Sequence, residues 1–203
     1  NLGTAKPAME VLIVAGGGNG PHGTGSAVGG GGGGAGGLVT GSLSTPGITG
    51  TFPVIVGEGG VGKWNTEENG GNSSFTIGPP GSTSTFTADG GGAGGSYPGN
   101  SGNAGGSGGG VSYKPEAPPN GAGGGAASAT QSPQPSPLGT LTGYGNVGGS
   151  SPVNTSPYGT SGGGGGAGGA GNPNNDSPNP SQGTGGAARA VPAFPEALFP
   201  TMP

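Results

Sequence analysis

The chain has no cysteine and very little charge: four Lys and Arg, eight Asp and Glu, and one His in 203 residues. Without cysteine there are no disulfides and no thiolate metal sites. The cations Lys6, Lys63, Lys114 and Arg189 are far apart, and the net charge is −4. Nucleic acid is therefore not an expected partner, because phosphate binding needs clustered Lys and Arg. No apolar run approaches the roughly 20 residues of a membrane-spanning helix, so membrane insertion is not expected. No signal peptide is visible, and the chain opens at Asn1 rather than Met, the expectation being a processed or partial product. Leu, Ile, Val and Phe together number 27, below the roughly one-fifth that marks the floor for ordinary globular domains.

The same scarcity bears on catalysis. His22, the only histidine, sits between Pro21 and Gly23, reads as a loop residue and makes no metal site alone. Glu67 and Glu68 are adjacent, so in extended chain they point in opposite directions and form no acid–base pair. Residues 57–63 have the G-x-x-x-x-G-K spacing of a phosphate loop, but Trp64 stands where Ser or Thr should hold magnesium, and the polar stretch after it lacks a helix pattern. The reading is a glycine turn leaving a strand. No catalytic residue, metal or cofactor is expected.

What the chain has is glycine, 59 residues of it, with 22 prolines. The glycines fall in tracts at 29–37, 90–95, 105–110, 121–125 and 162–171. Such a composition marks low complexity, but disordered segments are normally rich in charge, and only 6% of these residues are charged. Ordering glycine is expensive in entropy, and the few large apolar residues cannot offset it alone. Main-chain hydrogen bonding between neighbouring segments is expected to supply much of the cohesion. Polyproline II backbone has three residues per turn and directs its N–H and C=O groups outward, so glycine segments in this form can pair with several neighbours. The tracts keep no triplet register, which excludes collagen.

Residues 9–15 read as a buried strand closed by glycine. Residues 48–56 alternate, with Ile48, Phe52, Val54 and Val56 on one face and Pro53 marking an edge strand. Residues 73–77 and 83–87 form a hairpin, with Phe75 and Ile77 on one face and Pro80-Gly81 at the centre of a type II turn. Asn19-Gly20, Asn69-Gly70 and Asn120-Gly121 are further turn signals. The expected fold is mostly β and irregular, with almost no α: a strand-rich part at 1–89, a polyglycine II bundle with long loops at 90–190, and an extended apolar docking tail at 191–203. Prolines interrupt that tail, and Phe194, Leu198 and Phe199 are its apolar anchors.

Tyr97, Tyr113, Tyr144 and Tyr158 lie in or beside the polar segments between tracts, and Trp64 lies in another. Rigid amphipathic rings among Asn, Ser and Pro make a recognition surface, so these five are the expected receptor-binding residues. The alternative is that the rings cap the ends of the bundle.

The ordered series Val-Leu-Ile-Val-Ala-Gly-Gly-Gly at 11–18, the 29–37 run, Phe-Pro-Val-Ile-Val-Gly-Glu-Gly-Gly at 52–60, Gly-Gly-Asn-Ser-Ser-Phe at 70–75, Phe-Thr-Ala-Asp-Gly-Gly-Gly-Ala-Gly-Gly at 86–95 and the 162–171 run resembles the glycine-rich domain of tail fibres and other structural proteins of tailed bacteriophages, notably marine ones. It covers roughly residues 9–190. The alternation of tracts and irregular loops is also similar to adhesins that stack polyglycine II helices, although the strand-rich first part departs from them. The resemblance implies a non-enzymatic virion protein on the outer surface of the particle. Its implied partners are other virion proteins and a host surface glycan or outer-membrane protein, and fibres of this kind imply a homotrimer. The alternatives are a head-fibre, decoration or connector protein without receptor binding, which the apolar tail motivates, and an ice-binding protein, which the irregular tract lengths disfavour.

Overall fold

The computed structural model describes residues 8–21, 29–62, 66–96, 100–112, 127–150, 161–173 and 183–192. Among them there is no helix. Seven strands form two antiparallel sheets: β1 (Ala8–Val14), β2 (Leu38–Ser44), β3 (Val54–Ile55), β4 (Ser73–Ile77), β5 (Ser84–Ala88), β6 (Gln134–Ser136) and β7 (Gly139–Tyr144). The upper sheet has the order β1-β2-β7-β6 and the lower one β3-β4-β5. β1 lies over β4 and β2 over β5. The apolar residues that alternate on the facing sides fill the space between, with Val39, Leu43, Phe86, Ala88 and Leu141 fully buried and Val11, Ile13 and Ile77 nearly so. Burying a side chain of this size contributes about 1.5–3 kcal/mol, so this small sandwich is the hydrophobic core.

The strand at 9–15 and the hairpin at 73–88 form where the sequence places them. Phe75 pairs with Phe86 and packs on the core beside buried Ile77. Ser82 donates its N–H to the Pro79 carbonyl at 3.0 Å, and Gly81 takes a φ of +83°, the left-handed value that position i+2 of a type II turn requires. The strand expected over 48–56 is different. Only Val54–Ile55 pairs, at the edge of the lower sheet. Gly50 turns the chain with a φ of +135°, and Pro53 has no N–H to extend the ladder. Ile48 and Phe52 reach the core, whereas Val54 and Val56 are 66% and 79% exposed. The hairpin β6–β7, at 134–144, was not expected, and it adds to β2 from the second half of the chain.

The glycine tracts other than 121–125, which lies outside the described residues, leave the sandwich from one side and bond to one another chiefly by main chain. Segment 31–37 shows the rule. Gly31, Gly34 and Gly37 donate to the carbonyls of Gly95, Gly92 and Asp89. Gly32 and Ala35 donate to Gly162 and Gly165. The carbonyls of Gly34 and Gly37 accept from Gly18 and Ala15, and those of Gly32 and Ala35 accept from Gly110 and Ser107. One segment therefore serves four neighbours, and each neighbour is met at every third residue. Segment 105–111 repeats the pattern, with Gly108 and Val111 donating to Asn146 and Gly149. Asparagine side chains complete the flanks: Asn72 and Asn69 accept from the amides of Gly90 and Ala93.

At most of these glycines packing this close leaves no room for a Cβ atom. One built on Gly18 would collide with the backbone of Gly92 and Ala93, whereas one on the neighbouring Gly17 would meet only the Gly34 carbonyl oxygen, at an ordinary 3.6 Å. Gly18→Ala should therefore lose about 3 kcal/mol or more, in the range of core overpacking and strain. Gly17→Ala should stay within about 1 kcal/mol of the parent, or gain slightly through lower unfolded-state entropy. Chemical denaturation of the two variants checks this; equal stabilities would contradict the packing.

Candidate functional site

The hydrogen-bond register fixes the direction of the described glycine segments. Ala15, Leu38, Ala88 and Tyr144 adjoin or end strands, so this end of the glycine layer is the sandwich end. Pairing of Ala15 with Gly37 and Gly18 with Gly34 carries segment 15–21 away from it. The bonds of Gly31, Gly34 and Gly37 make 89–96 run outward and 29–37 run inward. By the same reasoning 105–112 and 145–150 run outward, and 161–166 and 183–189 return. The chain thus reaches the far end of the layer at Pro21, Ser96, Ser112 and Ser150 and leaves it at Gly29, Asn100 and Ser161. Residues 22–28, 97–99, 113–126 and 151–160 all depart from this distal end. So do 63–65 and 174–182, whose neighbours bond to Asn19 and to Ser161 and Gly163.

Side chains pin the bases of these segments. Asn19 is buried, at 5% exposure. Its Nδ2 donates to the carbonyls of Val61 at 3.0 Å and Thr66 at 2.7 Å, and its Oδ1 accepts the Glu68 N–H at 3.0 Å. It therefore clamps both sides of 63–65. Glu67 Oε1 accepts from the Ser96 N–H and the Ser96 Oγ, each at 2.8 Å, and from Asn100 Nδ2 at 3.3 Å, which closes the base of 97–99. Ser112 Oγ donates to the Ser96 carbonyl at 2.7 Å and so ties the start of 113–126 to the same base. Ser161 Oγ donates to the Gly29 carbonyl at 2.8 Å and joins the end of 151–160 to the end of 22–28. Buried polar groups need such partners, and here the partners are the loop stems.

Four of the five aromatics singled out in the sequence, Trp64, Tyr97, Tyr113 and Tyr158, lie outside the described residues, each within a segment that departs from the distal end. Tyr144 is elsewhere. It ends β7, pairs with Leu38 and carries the Arg189 guanidinium 3.7 Å from its ring centroid, so one of its faces is already engaged at the sandwich end. Phe194, Leu198, Phe199 and His22 lie outside the described residues. In the phosphate-loop-like stretch, the Gly57 N–H donates to Ser73 Oγ at 3.0 Å and the Gly60 N–H to the Gly17 carbonyl at 2.8 Å. Amides that would cradle phosphate hold the fold instead, and no helix follows among the described residues. Among the described residues no group of three or more His, Asp or Glu could hold a metal, and no helix is long and apolar enough to cross a membrane.

Sequence reasoning missed the pins. Asn19 was read as a turn former and Glu67 only as half of a rejected acid pair. The available signal was scarcity: in a chain with eight acids, each carboxylate near a glycine tract is a candidate acceptor for main-chain amides. Glu67→Ala should lower stability by about 1–3 kcal/mol, the range for removing hydrogen bonds to a charged acceptor. It should also speed exchange of the Ser96 amide. Denaturation and amide exchange measure the two effects, and a Ser96 amide unchanged by the substitution would count against the pinning role.

A family model described as a glycine-rich domain matches residues 4–196. No curated protein matches, and no solved structure matches.

Proposed function

This chain belongs to the glycine-rich domain family, and we propose that it is a non-enzymatic display module: a phage tail-fibre or adhesin component that binds the host surface through segments at the distal end of its glycine layer. The observation that carries this reading is convergence. Six segments interrupt the glycine layer, all leave from one end, and their stems are pinned by Asn19, Glu67, Ser112 and Ser161. A rigid scaffold whose loop stems converge at one end is the arrangement by which loops carry recognition. Trp64, Tyr97, Tyr113 and Tyr158 are then the receptor-contacting rings, for a host glycan or outer-membrane protein. The sandwich end faces other virion proteins, on the outside of the particle.

We read the threefold repeat of hydrogen-bond partners as polyglycine II. Polyproline II-type backbone has three residues per turn and no internal hydrogen bonds. Both properties match a segment that meets each of four neighbours at every third residue.

Tyr113→Ala and Tyr97→Ala should each weaken binding to host cells about tenfold or more, the scale of an aromatic hot spot, with thermal stability unchanged. Tyr144→Ala should leave binding intact and lower stability, since it removes a strand-end ring and its cation–π contact. Cell-binding titrations with purified protein test this. Full binding by both distal variants would reject recognition at the tip in favour of a virion component without a receptor role.

A further inference from the structure

The sandwich has four outer strand edges, and they are not treated alike. β5 is capped: Gln131 and Gln134 Oε1 accept the N–H groups of Asp89 and Thr87, and both side chains donate to the Thr87 carbonyl. β6 is three residues long with Pro135 at its centre, and β3 is two residues long and follows Pro53. Short edges and proline are ordinary protection against stray pairing. β1 has neither. It is seven residues long, Ala-Met-Glu-Val-Leu-Ile-Val, with one charge, and nothing among the described residues pairs with its outer side. The bond from the Ala15 N–H to the Gly37 carbonyl puts the odd-numbered residues of β1 in its hydrogen-bonded pairs with β2. The N–H and C=O groups of Glu10, Leu12 and Val14 therefore point outward.

Beneath that edge the lower sheet extends further than the upper one. Along the row Phe86–Phe75–Val54, directly paired residues share the core-facing side. Phe86 is 1% exposed, Phe75 is half-buried and Val54 is 66% exposed. The upper sheet ends at β1, over β4, and leaves β3 uncovered. The result is a groove of about 430 Å³ with the β1 edge as its wall and Val54, Val56 and Phe75 in its floor.

The groove fits one extended segment and not a second sandwich. Were β1 of another copy to pair here, its own β4 would lie beneath it, in the place that β3 occupies. We propose that the occupant is the chain's own segment 193–203, added in cis as an antiparallel fifth strand of the upper sheet. Arg189 rests on Tyr144, and Tyr144, Leu38 and Val14 form one row across the sheet toward the β1 edge. Three strand spacings, about 14 Å, separate Tyr144 from the groove, and eleven extended residues reach about 36 Å. Coming from the Val14 end, the segment runs against β1, as antiparallel pairing requires. With Glu196 and Leu198 donating to the carbonyls of Val14 and Leu12, Pro195 falls where no N–H is needed, and Pro200, whose carbonyl accepts from Glu10, ends the pairing. Ala197 and Phe199 then cover Val56 and Val54, while Glu196 and Leu198 lie opposite Val14 and Leu12 on the outer face. This assignment is independent of what the distal end binds.

Amide hydrogen exchange on the full chain tests it. The amides of Glu10, Leu12 and Val14 should be protected to within about tenfold of those of Val11 and Ile13. A full-length Ala197→Asp, Phe199→Asp variant should release those three by about tenfold or more and leave Val11 and Ile13 unchanged. Three results would overturn the proposal: unprotected outer amides in the parent chain, protection that survives the double substitution, or protection that fades on dilution and so belongs to a neighbouring copy.

Discussion

Everything in this fold depends on how closely two glycine backbones can approach. When Gly34 donates to Gly92 and accepts from Gly18, three segments stand at main-chain hydrogen-bond distance with no side chain between them. A Cβ on Gly164 would strike the Gly33 carbonyl, and one on Gly34 those of Ser107 and Gly108. The entropy lost in fixing each glycine is large, and each hydrogen bond returns a net of only about 0.5–1.5 kcal/mol. The layer holds because residues such as Gly32, Gly34, Gly92 and Gly110 each donate to one neighbouring segment and accept from another, so that opening one segment strands the amides of its neighbours in a dry interior.

This constraint explains why the protein is built in two parts. A glycine layer has no apolar surface with which to begin folding, and the sandwich supplies it. Val39, Leu43, Phe86 and Leu141 are buried at one end, and four of the strands that carry them or flank them lead directly into glycine segments at Ala15, Gly37, Asp89 and Gly145. Among the described residues the distal end has no such core. It is fastened by polar side chains that have lost their water, Asn19, Ser96, Ser112 and Ser161, each bonded to a carbonyl, an amide or a carboxylate. Hydrophobic burial closes one end of the layer and hydrogen bonding closes the other.

Much of this is legible in the sequence, and the illegible part has a common cause. The strand at 9–15 and the hairpin around Pro80-Gly81 follow from alternation and turn chemistry, both local. The reliance on main-chain bonding between tracts follows from composition. Which tract lies beside which does not, because glycine carries no face and no period to read. The hairpin at 134–144 was hidden for a related reason: Gln134, Pro135 and Ser136 look like loop, and they become a strand only because β7 pairs with β2, nearly a hundred residues earlier. Val54 and Val56 were placed on the correct face, but their exposure depends on where the other sheet stops. Tyr144 looks like the other tyrosines in local sequence; its place at the end of β7, opposite Leu38, comes from a pairing that local sequence does not show.

The same facelessness raises a problem of register that the sequence also answers. In a run of glycines whose partners recur every third residue, a slip of three residues would form the same hydrogen bonds, just as a weakly patterned strand is free to slide. Something must make one register better than the rest. The few side chains inside the layer do this. Ala93, Ser107 and Val111 are fully buried, so each lies where the neighbouring backbones leave room for a Cβ. Moved by three along 105–111, Ser107 would fall on the site of Gly110, where a Cβ meets the carbonyl of Gly162. The interruptions of the glycine tracts are therefore not tolerated impurities. They index one featureless segment against the next, and the sandwich at one end and Asn19 and Glu67 at the other hold the count.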